Sequence, residues 1–292
     1  MTLTIGLVGA GHRASQVHAP ALANSPEIRF TGIWARTPQT RRALAEHHGV
    51  RAYDRFADLL EECAAVAFAV PPPVQAELAA VAARRGRAVL LERPMAGDVA
   101  GAEELTEAVR AGKVISQLGL AWRYDAEVRR FLSTEVKRIK PTGGAGRLIS
   151  GNHLPGVAVR WRADRGVLRD EGLDLLDLLQ AALGPIVGVQ ARGEPRGWIG
   201  LMLDHRVGRF SQAAMSATSA PGTFRADAEI FGPGGSATLD CTKVPGPEAY
   251  RTMYREFADA VQQGTAPPLD ASHGLHLQRV IEAAEMDVLV GS

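Results

Sequence analysis

Over the first 120 positions, apolar residues fall into short, nearly unbroken runs separated by segments with helical spacing. The runs at 3–9, 28–35, 64–70, 88–91 and 114–120 predict buried strands. Between and beside them, 15–24, 40–48, 75–85 and 100–111 carry helical periodicity. Pro71-Pro72-Pro73 follows the 64–70 run and is expected to lie outside both strand and helix, because proline donates no backbone hydrogen bond. Strands without polar alternation, interleaved with helices, predict a doubly wound parallel sheet covered on both faces.

The pattern changes near residue 121. A charged helix is expected at 125–139 and a loop over Pro141-Thr-Gly-Gly-Ala-Gly146. From 186 to 242 polar and apolar residues alternate, in runs at 186–190, 201–205, 210–218, 226–231 and 237–240. Gly232-Pro-Gly-Gly235 supplies a turn between the last two. Period-two alternation predicts an open, mostly antiparallel sheet with one polar face. Helices follow at 248–263 and 272–289. The fold class is therefore α/β: a nucleotide-binding domain over 1–121, then an α+β domain for substrate binding and oligomer contacts over 122–292.

Bulk properties narrow the class. A chain of 292 residues suffices for two domains, and 46% hydrophobic with 22% charged residues is a globular balance. A net charge of +1 argues for neither nucleic acid nor a membrane surface as partner. No apolar stretch reaches membrane-spanning length, and no leader pattern precedes the first strand, so a cytoplasmic protein is expected. Cys63 and Cys241 lack CxxC spacing; both are expected reduced, and no metal site is expected.

Gly9-Ala10-Gly11-His12-Arg13-Ala14 joins the first strand to the first helix. In a G-x-G-x-x-A turn the first glycine bends the chain, the second admits a pyrophosphate close to the backbone, and the small third residue lets helix and strand pack. The helix N-terminus faces the anion. A tight βα turn without a ligand would leave the same pattern. The second strand ends in Ala35-Arg36-Thr37, with Arg41 and Arg42 a turn later, where a carboxylate would grip the ribose of NAD. An Arg and a hydroxyl suit a 2′-phosphate instead, which predicts NADP(H); a solvated Arg stacking on adenine is the alternative.

These stretches, together with Ala69-Val-Pro-Pro72, Leu91-Glu-Arg-Pro94, Gly119-Leu-Ala-Trp-Arg-Tyr-Asp125, Trp161-Arg162, the 166–177 segment, Phe257–Gly264 and Ile281–Ala284, give the chain its resemblance to the Gfo/Idh/MocA (glucose–fructose oxidoreductase / inositol dehydrogenase) family. The resemblance covers nearly the whole length. It implies an N-terminal Rossmann domain and a C-terminal domain whose open sheet carries oligomer contacts, as a homodimer or homotetramer. It also implies cofactor contacts from Gly9, Gly11, His12, Arg13, Ala14, Val70, Pro71, Pro72, Gln75, Glu92, Arg93 and Pro94.

The departures bear on chemistry. The family's Glu-Lys-Pro lysine is Arg93 here, the histidine of its Asp-x-x-x-His pair is Asp174, and its Pro-x-x-x-His histidine is Gln75; the first Asp is kept as Asp170. Arg stays charged and acts as a fixed fork, so Arg93 can orient a substrate but not relay a proton. Asp170, Asp174 and Asp177 fall on one helix face, and Asp174 is the expected proton donor with Asp170 or Tyr124 assisting. A stripe relieved by solvation and the helix N-terminus would look the same. Arg123, His153, Trp161 and Arg162 are substrate-binding candidates. For each a structural role competes: a hydrogen-bonded His153, and a solvated loop for Arg160, Arg162, Arg165 and Arg169 around Trp161. The expected activity is an NADP(H)-dependent oxidoreductase, acting as a reductase on a small polar carbonyl or imine. Nucleotide binding without catalysis, in a sensor or partner subunit, is the alternative; redox-neutral lyase or hydrolase chemistry with a retained cofactor is a third reading.

Overall fold

The computed structural model describes residues 2–157 and 160–291. The side chains of Arg160 and of the substrate-binding candidate Trp161 lie outside the described residues. The chain divides into two compact units, residues 1–119 with 247–276, and 120–246 with 277–292. The helix Pro247–Gln263, assigned by sequence order to the second half, thus belongs to the first unit.

The first unit is built on β1 (Leu3–Val8), β2 (Ile28–Trp34), β3 (Arg51–Ala52), β4 (Ala65–Phe68), β5 (Ala88–Leu91) and β6 (Ser116–Leu118). All neighbours pair in parallel, in the order β3-β2-β1-β4-β5-β6. β4 and β5 are buried at every position, which is why neither alternates in the sequence. Strand order reverses between β1 and β4, and ligands of such sheets bind beyond the carboxyl ends at that reversal. The helix Phe56–Glu62 and the two-residue β3 were not visible in the hydrophobic pattern. The proline run differs from expectation: Pro72 starts the helix Pro72–Arg84. The first helical turn needs no N–H donor, and Pro71 at φ −54°, ψ 142° is the extended residue that a following proline enforces.

The second unit carries β7 (Gly143–Ser150), β8 (Ile186–Gly193), β9 (Trp198–His205), β10 (Arg209–Ser216), β11 (Phe224–Gly232) and β12 (Gly235–Asp240), in the order β12-β11-β7-β10-β9-β8. Only β7 and β10 pair in parallel. The helix Leu173–Leu183 packs on one face of this sheet and is buried nearly all round. Expectation fails at 143–146: β7 is a central strand, and only 141–142 remain outside it. Its glycines are demanded by packing, since a Cβ on Gly144 would lie 2.7 Å from Ile230 Cδ1 and one on Gly146 2.7 Å from Leu175 Cδ1.

Candidate functional site

Beyond the ends of β1 and β4 in the first unit, Gly9 sits at φ +124°, where a Cβ would lie 2.3 Å from the Ala69 carbonyl oxygen. No side chain fits there. Gly11 is different: a Cβ would meet nothing within 4 Å. The protein itself therefore does not require glycine at Gly11, whereas a phosphate group drawn against the backbone does. The helix over 12–23 opens there, and Ala14 is fully buried against the sheet. These features fit a dinucleotide. The helix contains a widened turn at Ala14–His18, closed by Ala19 N–H on Ala14 O. Pro20, which cannot donate, follows directly, and the wide turn re-routes the bonding around it.

His12 is exposed at the start of this helix, and Val70 and Pro71 border the turn from the end of β4. At the end of β2, Arg36, Thr37 and Arg42 are exposed. Arg41, expected beside them as a cofactor contact, is buried: Nη1 donates to Ala35 O at 3.1 Å, and Nη2 pairs with Asp54. It ties the helix Pro38–His47 to the strand end.

The Glu92-Arg93-Pro94 loop is held from two sides. Gln75 is fully buried, and its Nε2 donates to Glu92 O at 2.7 Å and Met95 O at 3.0 Å while its Oε1 accepts from Glu92 N at 2.9 Å. An amide both donates and accepts in this way; Gln75 is turned onto the loop backbone, not toward a ligand. Pro94 is buried behind the loop, and Arg93 is half-buried.

Glu92 Oε1 accepts from Arg13, with Nη2 at 2.9 Å, and contacts His18 Nε2 at 2.8 Å. His18 Nδ1 meets the Tyr254 hydroxyl at 2.7 Å, and the Arg13 guanidinium lies 5.3 Å from the centre of the Tyr250 ring. Burial raises the Glu92 carboxyl, but Arg13, then the His18 hydrogen bond and charge, and Arg93 outweigh it and leave the pKa at about 2. An ionised carboxylate only accepts, so His18 Nε2 donates to Glu92. Burial and the Glu92 charge hold the Tyr254 phenol well above its usual range. Arg13 and Glu92 are cofactor candidates by sequence, whereas His18, Tyr250 and Tyr254 join them only in the structure. His18, one helical turn past the glycines, was the available signal.

In the second unit, a wide turn at Leu168–Gly172 leads into the helix Leu173–Leu183 and places Asp170, Glu171, Asp174 and Asp177 in buried positions. They do not form one uniform acidic stripe. Asp170 Oδ1 accepts from Arg162 Nε at 2.9 Å and its Oδ2 meets His153 Nε2 at 2.8 Å. Glu171 accepts from Ser150 Oγ at 2.9 Å and from Asn152 Nδ2 at 2.8 Å. Asp177 pairs with Arg123 at 3.1 Å, which commits Arg123 to the fold. Asp174 is 3% exposed, and its Oδ1 accepts no hydrogen bond from the described residues. Tyr124 is buried under the Arg129 guanidinium, 5.4 Å from its ring centre. The structure therefore gathers Asp170, His153 and Arg162 into one cluster and Asp177 with Arg123 into another.

Residues 3–120 match the family described as GFO_IDH_MocA, an oxidoreductase family with an NAD-binding Rossmann fold. Among curated relatives, a dTDP-3,4-didehydro-2,6-dideoxy-alpha-D-glucose 3-reductase of Streptomyces violaceoruber is 29% identical over 288 residues, covering 92% of this chain and 81% of that one. An inositol 2-dehydrogenase of Streptomyces avermitilis is 34% identical over 130 residues, 43% of this chain and 38% of that one. Among solved structures, a putative myo-inositol dehydrogenase from Sinorhizobium meliloti 1021 superposes with a TM-score of 0.88 at 18% identity, covering 100% of this chain and 98% of that one. Among the described residues no helix is long and apolar enough to cross a membrane.

Proposed function

We propose, from the match of residues 3–120 to the GFO_IDH_MocA oxidoreductase family and the likeness to a sugar reductase, that the chain is an NADP(H)-dependent reductase of a small polar carbonyl or imine. The observation that carries the cofactor choice is the end of β2, where Ala35 replaces a carboxylate and Arg36 and Thr37 stand exposed. When bound, the nicotinamide cofactor supplies or takes up a hydride. The Gly9–Gly11 turn and the helix N-terminus hold the diphosphate; Arg36 and Thr37 take the 2′-phosphate. Arg93, permanently charged, orients an oxygen or anionic group of the substrate. Gln75, Arg13 and His18 fix the loop that carries it. Asp174, with Asp170 or Tyr124 assisting, is the candidate for managing the proton. Carboxylates favour a cationic iminium over a developing alkoxide, which keeps imines among the substrates. The relative from S. violaceoruber is named as a reductase of a dTDP-linked didehydro sugar, so a ketone on a polar sugar ring is the first carbonyl to test.

Binding of NADP(H) without turnover is favoured by one observation, the joint replacement of the family's lysine and histidine by Arg93 and Asp174. Hydride transfer to any substrate excludes it. The cofactor reading is tested by titrating nucleotide-stripped protein with NADPH and NADH by fluorescence. Wild type prefers NADPH, and Arg36→Ala lowers that preference at least ~10-fold, the loss of one charge-assisted contact of ~1.5–3 kcal/mol. An unchanged ratio in Arg36→Ala overturns the reading.

A further inference from the structure

We infer that Tyr254, acting through His18 and Glu92, is a positioning residue for Arg93, and that the widened turn at Ala14–His18 serves this arrangement by letting Arg13 and His18 share one oxygen of Glu92. The inference deepens the reductase reading, in which Arg93 orients the substrate, and rests on it. Every group involved belongs to the first unit.

Arg13 and His18 are five residues apart. At 3.6 residues per turn, five steps along an α-helix end about 140° from the start, and the two side chains would diverge. A turn closed from i to i+5, as Ala19 N–H closes on Ala14 O, brings residues at that spacing onto one side. Both side chains then reach the same atom. Glu92 Oε1 accepts from Arg13 Nε at 3.0 Å and Nη2 at 2.9 Å, and from His18 Nε2 at 2.8 Å. Pro20 accounts for a widened turn ahead of it; it does not account for two donors matched to one carboxylate.

Behind His18 stands the helix Pro247–Gln263, with Tyr250 and Tyr254 one turn apart on it. The Tyr254 hydroxyl meets His18 Nδ1 at 2.7 Å, and the Tyr250 ring faces the Arg13 guanidinium. His18 and Tyr254 are both fully buried, so no water competes for this contact. From the helix Pro72–Arg84, Gln75 holds the backbone of the same loop at Glu92 N and Glu92 O. The loop is thus fixed twice at one residue, by the backbone and by the side chain.

Packing does not call for a charge at Glu92. Apolar residues of the same shape often serve stability as well as a buried ion pair does, and the best-attested use of such a pair is to select one arrangement. Glu92 directly precedes Arg93, so a fixed Glu92 fixes the backbone from which the Arg93 guanidinium departs. A displacement of about 1 Å at an orienting group lowers a rate by up to ~100-fold. Tyr254 touches neither Arg93 nor the glycine turn in this chain of contacts; it acts on the loop only by holding His18 against Glu92.

Two measurements on the full chain test this. The first, amide hydrogen exchange, needs neither cofactor nor substrate. Tyr254→Phe is expected to speed exchange of the Glu92 N–H by ~3–10-fold, the loss of about one hydrogen bond, and to leave β1 and β4 as they are. His18→Gln keeps an amide that can donate to Glu92 and is expected to exchange like wild type there; His18→Leu is expected to exchange like Tyr254→Phe. Unchanged Glu92 exchange in Tyr254→Phe, or faster exchange throughout the first unit, overturns the proposal. The second measurement is kinetic, with NADPH and a keto sugar. Tyr254→Phe is expected to lower kcat/KM for the ketone ~10-fold with the NADPH dissociation constant kept within ~2-fold. In an Arg93→Ala background the same change is expected to do nothing more. If it slows Arg93→Ala as much as it slows wild type, the hydroxyl does not act through Arg93 and the proposal falls. A wild type that reduces no carbonyl or imine sinks the reductase reading, and amide exchange still decides whether Tyr254 holds the loop.

Discussion

Glu92 keeps its charge in a position where burial alone would neutralise it, because Arg13 and His18 converge on one oxygen. Its carboxyl is lowered from 4.5 to about 2. A carboxyl depressed in the folded state contributes stability above its unfolded pKa and loses it as pH falls through the folded value. The contribution is on the order of 3 kcal/mol at neutral pH. Glu92→Gln is therefore expected to be less stable than wild type by about 2–3 kcal/mol in urea at pH 7. The gap should shrink steadily between pH 4.5 and pH 2. A gap independent of pH would show that Glu92 acts through shape, not charge. The glycine turn was legible because its chemistry is local: Gly9 and Gly11 answer to their own φ and to the space above them. The partners of Glu92, Arg41 and Asp170 were not, since Tyr254, Asp54 and His153 are brought to them only by the fold.

Among the elements, β7 shows why a hydrophobic pattern can hide a central strand. Glycines at 143, 144 and 146 remove the apolar signal, and the packing partners that demand the last two sit at 230 and 175. A methyl group on Gly144 would lie 2.9 Å from the Glu229 carbonyl oxygen, a backbone atom that cannot swing away. Gly144→Ala is expected to cost about 1–3 kcal/mol, seen as a lower urea midpoint with the m-value unchanged. A Gly144→Ala protein within about 0.5 kcal/mol of wild type would sink the packing account. The strands β4 and β5 were legible for the opposite reason: buried at every position, they have no room for anything but apolar side chains. The proline run misled because proline at a helix start is as compatible as proline in a loop, and only the fold chooses.

For the whole molecule, the face of the second sheet turned away from the helix Leu173–Leu183 is the surface to explain. Trp198 and Met202 are 56% and 50% exposed there, beside a shallow depression of about 490 Å³ lined by Ala145, Gln190, Arg192, Gly200, Met202 and Gln212. Small residues make the floor flat, as a sheet-on-sheet contact needs. Eight-residue strands at ~3.3 Å per residue and six strands at ~4.8 Å spacing give roughly 700 Å² of face, near the ~800 Å² per partner of a stable interface. Arg192 lies on the edge strand β8, and Asp240 on the opposite edge strand β12. A two-fold axis between two such faces would pair each with its copy, which is the self-complementarity a homodimer requires. We therefore expect wild type to run as a dimer or tetramer in light scattering at micromolar concentration. Met202→Asp, which would bury a charge at the centre of that contact, should release monomers. Because Met202 lies outside the nucleotide-binding unit, its NADPH affinity should be kept. A wild type that is monomeric throughout, or a Met202→Asp protein that stays assembled, would leave this face without a second copy to cover it.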